Sequence, residues 1–81
     1  MPLFYFDIND GTRRRYDTEG QELASFEVAT QVAAQELALI IKDEHLGGTR
    51  QSYIVTVRDQ GGIPVFVATA MMLGEPLGLP S

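Results

Sequence analysis

The side chains with the most chemical potential stand close together, in the stretch DINDGTRRRYDTEG at positions 7–20. Asp7, Asp10, Asp17 and Glu19 are hard oxygen donors of the kind that bind calcium or magnesium. A calcium loop of the EF-hand type spaces its first ligands at positions 1, 3 and 5, with glycine at 6 and glutamate at 12. Counted from Asp7, the acid falls at 4, glycine at 5 and Thr18 at 12, so the pattern misses by one residue. The four acids therefore form a ligand or metal site only if folding makes them converge. Asp10-Gly11 is also a hairpin dipeptide, suited to the positive φ angles of a tight turn, and a hairpin is the better account of the segment.

Arg13, Arg14 and Arg15 follow directly. In a strand their alternation sends the middle one to the opposite face from its neighbours, so they do not make one flat patch. A two-residue Asp10-Gly11 loop would set Asp7 opposite Arg14, and a three-residue loop with a bulge would set it opposite Arg13. Either gives a cross-strand ion pair and a charged, protected edge. Six Lys and Arg against eleven Asp and Glu give a formal charge of −5, a poor footprint for a phosphate backbone, so nucleic acid is not the expected partner.

The rest of the chain offers little chemistry. Cysteine is absent, which removes disulfides, thiol catalysis and thiolate zinc sites together. His45 follows Asp43 and Glu44 near a helix end, where a charged imidazole suits the dipole and the last carbonyls. Ser25 and Ser52 lack a nucleophile-elbow context, and Gly47-Gly48 and Gly61-Gly62 are isolated pairs rather than a phosphate cradle. No catalytic residue and no cofactor is implied. The expectation is a protein that is not an enzyme.

These residues are carried by a small soluble-type domain. Of 81 residues, 44% are hydrophobic and 21% charged, an ordinary globular balance. No apolar run reaches membrane-spanning length and the start MPLFYFDIND lacks a signal-like segment, so the expected location is the cytoplasm, with no membrane partner. LFYFDI at 3–8 alternates as a strand. Helix is expected from about 25 to 45, with Ser25 as N-cap, Glu27 in the first turn and Gly47 as the stop. SYIVTV at 52–57, the turn DQGG at 59–62, and IPVFVATAMM then form a second hairpin, with Pro64 near the start of its strand.

The resulting order is ββαββ, an α+β fold with one helix on one face of a four-stranded, mainly antiparallel sheet over residues 1–73, followed by an irregular Pro/Gly tail at 74–81. A fully antiparallel sheet would place the first strand beside the third, or the second beside the fourth. A central parallel pair of the first and fourth strands is the alternative.

Helical spacing puts Phe26, Ala29, Ala33, Leu37 and Ile40 on one stripe facing the sheet. A second ridge, Val28, Val32 and Leu39, lies beside it. In the last strand Val65, Val67, Thr69 and Met71 alternate with Phe66, Ala68, Ala70 and Met72, so both faces are apolar although one helix covers only one. Val28, Val32, Leu39, Val65, Val67 and Met71 are therefore the expected interface of a homodimer, or of a contact with another protein.

The pattern F-x-F-D-x-x-D-G (Phe4, Phe6, Asp7, Asp10, Gly11), then D-x-E-G-x-E-L (Asp17, Glu19, Gly20, Glu22, Leu23), one helix, and V-x-D-x-x-G-x-P-V (Val57, Asp59, Gly62, Pro64, Val65) resembles a family of small uncharacterised proteins found mostly in alphaproteobacteria. The resemblance runs to about residue 73. It implies a bacterial origin and the same fold, and brings no mechanism. Three functions follow as expectations: a self-associating or protein-interaction module; as the alternative, a regulatory protein binding a small ligand or metal ion through the acids around the first hairpin; and, ranked below both, a nucleic-acid-binding regulator using the arginine strand.

Overall fold

The computed structural model describes residues 1–44 and 50–78, apart from the side chains of 43 and 44. In chain order they form β1 (Leu3–Asn9), β2 (Arg14–Arg15), β3 (Gln21–Glu22), α1 (Phe26–Glu44), β4 (Arg50–Arg58) and β5 (Pro64–Leu73). His45, the expected helix stop at Gly47 and the end of the tail lie outside the described residues. Among those described, no helix is long and apolar enough to cross a membrane.

The sheet runs β2-β1-β4-β5, with β3 also on β1, and every pairing is antiparallel. Of the strand orders open to the sequence, the adopted one sets the first strand beside the strand that follows the helix. β1 thus lies in the sheet interior, which suits its aromatic and branched side chains.

The first hairpin departs from expectation. Asn9 pairs with Arg14 and Ile8 with Arg15, so the loop holds four residues, closed by the Asp10 N–H donating to the Arg13 carbonyl at 3.1 Å. Gly11 takes φ 92°, but Asp10 has no positive φ, which excludes the expected two-residue turn. The cause is local: the Asp10 carboxylate accepts from the Thr12 and Arg13 N–H groups at 2.9 and 2.7 Å, widening the loop into a side-chain-capped turn. Arg13 consequently sits in the loop rather than in the strand.

Helix α1 starts as its sequence dictates. Ser25 Oγ accepts from the Val28 N–H and the Ser25 carbonyl from the Ala29 N–H, an N-cap and the first helical bond. Ala29, Ala33, Leu37 and Ile40 are buried with Phe4, Phe6, Tyr53, Val55 and Val57. The two alanines, fully excluded from water, let the helix approach the sheet closely. Phe26, expected in this stripe, is 42% exposed. It sits at the first turn, its ring edge-on to Phe66 with centroids 6.1 Å apart.

The second hairpin turns at Asp59, whose Oδ1 accepts from Gly61 and Ile63 N–H, while Gly62 adopts φ 84°. Pro64 opens β5 opposite Arg58, and a bulge leaves Val65 without a direct partner. Phe66, Ala68 and Ala70 are half-buried against the core, whereas Val65, Val67, Met71 and Leu73 are exposed on the far face.

Candidate functional site

The most organised group of polar side chains lies on the sheet face away from the helix. Tyr5 and Asp7 share that face because they are two residues apart on β1. Arg58, at the end of β4, pairs in register with Tyr5. Its Nε donates to Asp7 Oδ2 at 2.6 Å and its NH2 to Asp7 Oδ1 at 3.0 Å, a two-pronged ion pair. The same NH2 reaches the Asp17 carbonyl at 2.9 Å. The guanidinium carbon stands 4.9 Å from the centre of the Tyr5 ring and 5.2 Å from that of Tyr16, within cation–π range of both.

Asp17 builds the other half. Between β2 and β3 the chain spends two more residues than β1 does opposite, so the ladder breaks at 16–20. Asp17 Oδ2 fills the gap by accepting the Phe6 N–H at 3.0 Å, in place of a strand carbonyl. Its Oδ1 accepts from the Glu19 and Gly20 N–H groups, both at 3.0 Å, and its own N–H donates to Asp7 Oδ1. Gly20 turns the chain back at φ 76° in a position where a Cβ would meet Leu3 and the Phe4 carbonyl at 3.1 Å.

The electrostatics follow from these contacts. For Asp7, burial pushes the pKa up, but the Arg58 and Asp17 hydrogen bonds together outweigh it and the carboxyl is held below its usual value. Asp17 balances the same way, its burial outweighed by the Gly20, Phe6 and Glu19 N–H groups and the Arg58 charge. Asp10, at the exposed turn, is brought down to about 2, first by the Arg13 N–H and then by Thr12. The hydrogen bonds that Arg58 donates to Asp7 raise the pKa of its guanidinium.

Of the four acids singled out by sequence, Asp7 and Asp17 come together, Asp10 stays at the hairpin tip, and Glu19 contributes its backbone N–H to Asp17. No group of three or more candidate metal-ligating side chains converges among the described residues. The expected pairing of Asp7 with Arg14 or Arg13 is replaced by Arg58, because the four-residue loop shifts the register and β4 brings a guanidinium to the open side of β1. Arg58, Tyr5 and Tyr16 escaped the sequence reasoning. The available signal was weak: an aromatic and an acid two residues apart on one strand, and an arginine closing another. Beside the cluster lies an open depression of about 300 Å³ bounded by Asn9, Arg14, Tyr16, Thr56 and Arg58 among others.

No curated protein and no solved structure matches the chain. The family is nevertheless established, since a family model matches residues 3–71: the chain belongs to DUF6894, a domain of unknown function. Phe4, Phe6, Asp7, Asp17, Gly20, Asp59 and Gly62, which carried the sequence resemblance, occupy the core, the polar cluster and the turns.

Proposed function

We propose that this member of a domain family of unknown function is a non-enzymatic interaction module that works by associating with a second copy of itself. The observation that carries it is the row Val65, Val67, Met71 and Leu73, exposed by 38, 57, 64 and 61% along one face of one strand. Apolar side chains scattered singly are normal on a surface, but four along one strand face, interrupted only by Thr69, mark a contact. The polar groups beside it support the same conclusion, since Asp7, Asp17 and Arg58 satisfy one another and are spent on holding the sheet.

The interface expected from sequence divides on this basis. Val65, Val67 and Met71 belong to the exposed row, while Val28 and Val32 are half-buried and Leu39 is 54% exposed on the helix. The strand supplies the contact, with Leu39 outside it. Size-exclusion chromatography with light scattering on the paired substitution Val67→Lys and Met71→Lys is the test. The unaltered chain should run as a dimer at high micromolar concentration and the variant as a monomer with an unchanged far-ultraviolet spectrum. A variant that stays dimeric would remove β5 from the contact.

A ligand-binding reading is favoured by one observation only, the depression beside Arg58, which lies at the small end of ligand pockets. Titration calorimetry with calcium, magnesium, manganese and zinc decides it: heat with defined stoichiometry would support a regulatory ion site, and silent titrations would remove it.

A further inference from the structure

We infer that the two copies join edge to edge, β5 antiparallel to β5 of the partner about a two-fold axis at Thr69, so that one sheet continues through both. This deepens the self-association proposed above and rests on it.

Hydrogen-bond parity shows what the edge offers. The Phe6 N–H points to Asp17, on the β2 and β3 side, so the even-numbered residues of β1 face outward and Tyr5, Asp7 and Asn9 face β4. Carrying the pairing Phe6↔Val57 and Ile8↔Val55 across β4 directs Val55 and Val57 towards β5, onto Ala68 and Phe66. Backbone groups in an antiparallel strand alternate in direction. The N–H and C=O of Val67, Thr69 and Met71 therefore point away from β4, along an edge that no described strand covers.

The two edges of the sheet are built differently. On the β1 side the outer strand is cut into two-residue pieces, carries Arg14, Arg15 and Glu22, and uses the Asp17 carboxylate to occupy a backbone donor. Short, charged and interrupted edges are how proteins block strand addition. Past Pro64 and the bulge at its start, β5 has none of these devices: from Phe66 to Leu73 it holds eight residues with no charge and no proline. In a protein that protects one edge so thoroughly, the bare one is a pairing surface.

The occupant is a second copy because the strand is complementary to itself. With the axis at Thr69, Val67 lies opposite Met71 of the partner and Val65 opposite Leu73 on the open face. On the helix face Ala68 meets Ala70, and Phe66 meets Met72. No residue from 65 to 73 is left without a counterpart, and the absence of charge lets two chains of net charge −5 approach there without like-charge contact. Pairing removes from water the strand edge and the flanks of Val67, Met71 and their neighbours, whose exposed side chains then line one continuous open face of the joined sheet, a contact at the small end for a specific interface.

Two measurements test this. Amide hydrogen exchange on the unaltered chain, followed over a dilution series, should show Val67, Thr69 and Met71 N–H protected when dimeric and fast when dilute, with Ala68 and Ala70 protected throughout. Thr69→Pro removes one outward donor and sets a ring against the partner, leaving the β4 ladder intact. It should weaken association roughly 100-fold or more with the fold retained. A dimer in which the three outward amides exchange as fast as in the monomer, or which survives Thr69→Pro, overturns edge pairing while self-association stands. A chain that remains monomeric at high micromolar concentration overturns both.

Discussion

Asp17 does the work of an absent piece of strand. Its two carboxylate oxygens accept from Phe6 on one side and from Glu19 and Gly20 on the other, so both must be acceptors at once. Asp17→Asn keeps the shape but turns one acceptor into a donor facing an N–H. It should cost about 1–2 kcal/mol, nearly as much as Asp17→Ala, because an unmatched polar group is the main loss. Urea unfolding reads this directly, and an Asn variant within a few tenths of wild type would contradict the assignment. Acid titration probes the same logic at Asp10. Its folded pKa is lowered to about 2, against about 3.9 for an unfolded aspartate, so the stabilisation it gives is complete above about pH 4 and is lost as pH falls through about 2. Carbon-detected NMR of its carboxyl should give a midpoint near 2, where a midpoint near 4 would mean that the turn is not capped. At this scale the sequence revealed the acids but not their partners. Asp7 meets Arg58 across 51 positions, and that contact depends on register and strand order, neither of which is encoded locally.

At the scale of elements, the turns and the cap rather than propensity fix the boundaries. Gly20→Ala should destabilise by roughly 1–3 kcal/mol, since the left-handed φ and the 3.1 Å approaches to Leu3 and Phe4 act together. Gly11→Ala, with φ 92° but open space around it, should cost less. Equal effects in thermal melts would show that the close packing at Gly20 carries no weight. Ser25→Ala should remove about 1 kcal/mol through loss of the cap. Most of this level was legible: the helix start at Ser25, the alternating first and last strands, and the turns at Asp10-Gly11 and at 59–62 all follow from residue types. The second strand was not. It holds only Arg14 and Arg15, and after a break at 16–20 the chain returns to β1 as the unexpected Gln21–Glu22 strand, because a side chain can substitute for a carbonyl, an exchange that no periodicity records. Phe26 was misplaced because it opens the helix, where its ring meets the edge of Phe66 and stays part-exposed.

For the whole molecule the balance of surface is decisive. A compact monomer of 8.9 kDa is expected to expose about 4,800 Å², and this chain exposes 5804 Å². The extended segment at 74–78, where Leu77 is 93% exposed, and the apolar row on β5 both contribute to that surface. One helix against one face of a sheet leaves the other face to water, a consequence already visible in a last strand that is apolar on both sides. The edge on which we propose pairing was not visible, because it depends on the strand order set by the fold. The proposed pairing, confined to one strand edge, should be reversible rather than obligate. Sedimentation equilibrium of the unaltered chain across a concentration series is the most direct test of self-association. The mass should rise from 8.9 kDa towards twice that value as concentration passes through the micromolar range, and a mass that stays at 8.9 kDa up to high micromolar concentration would contradict it.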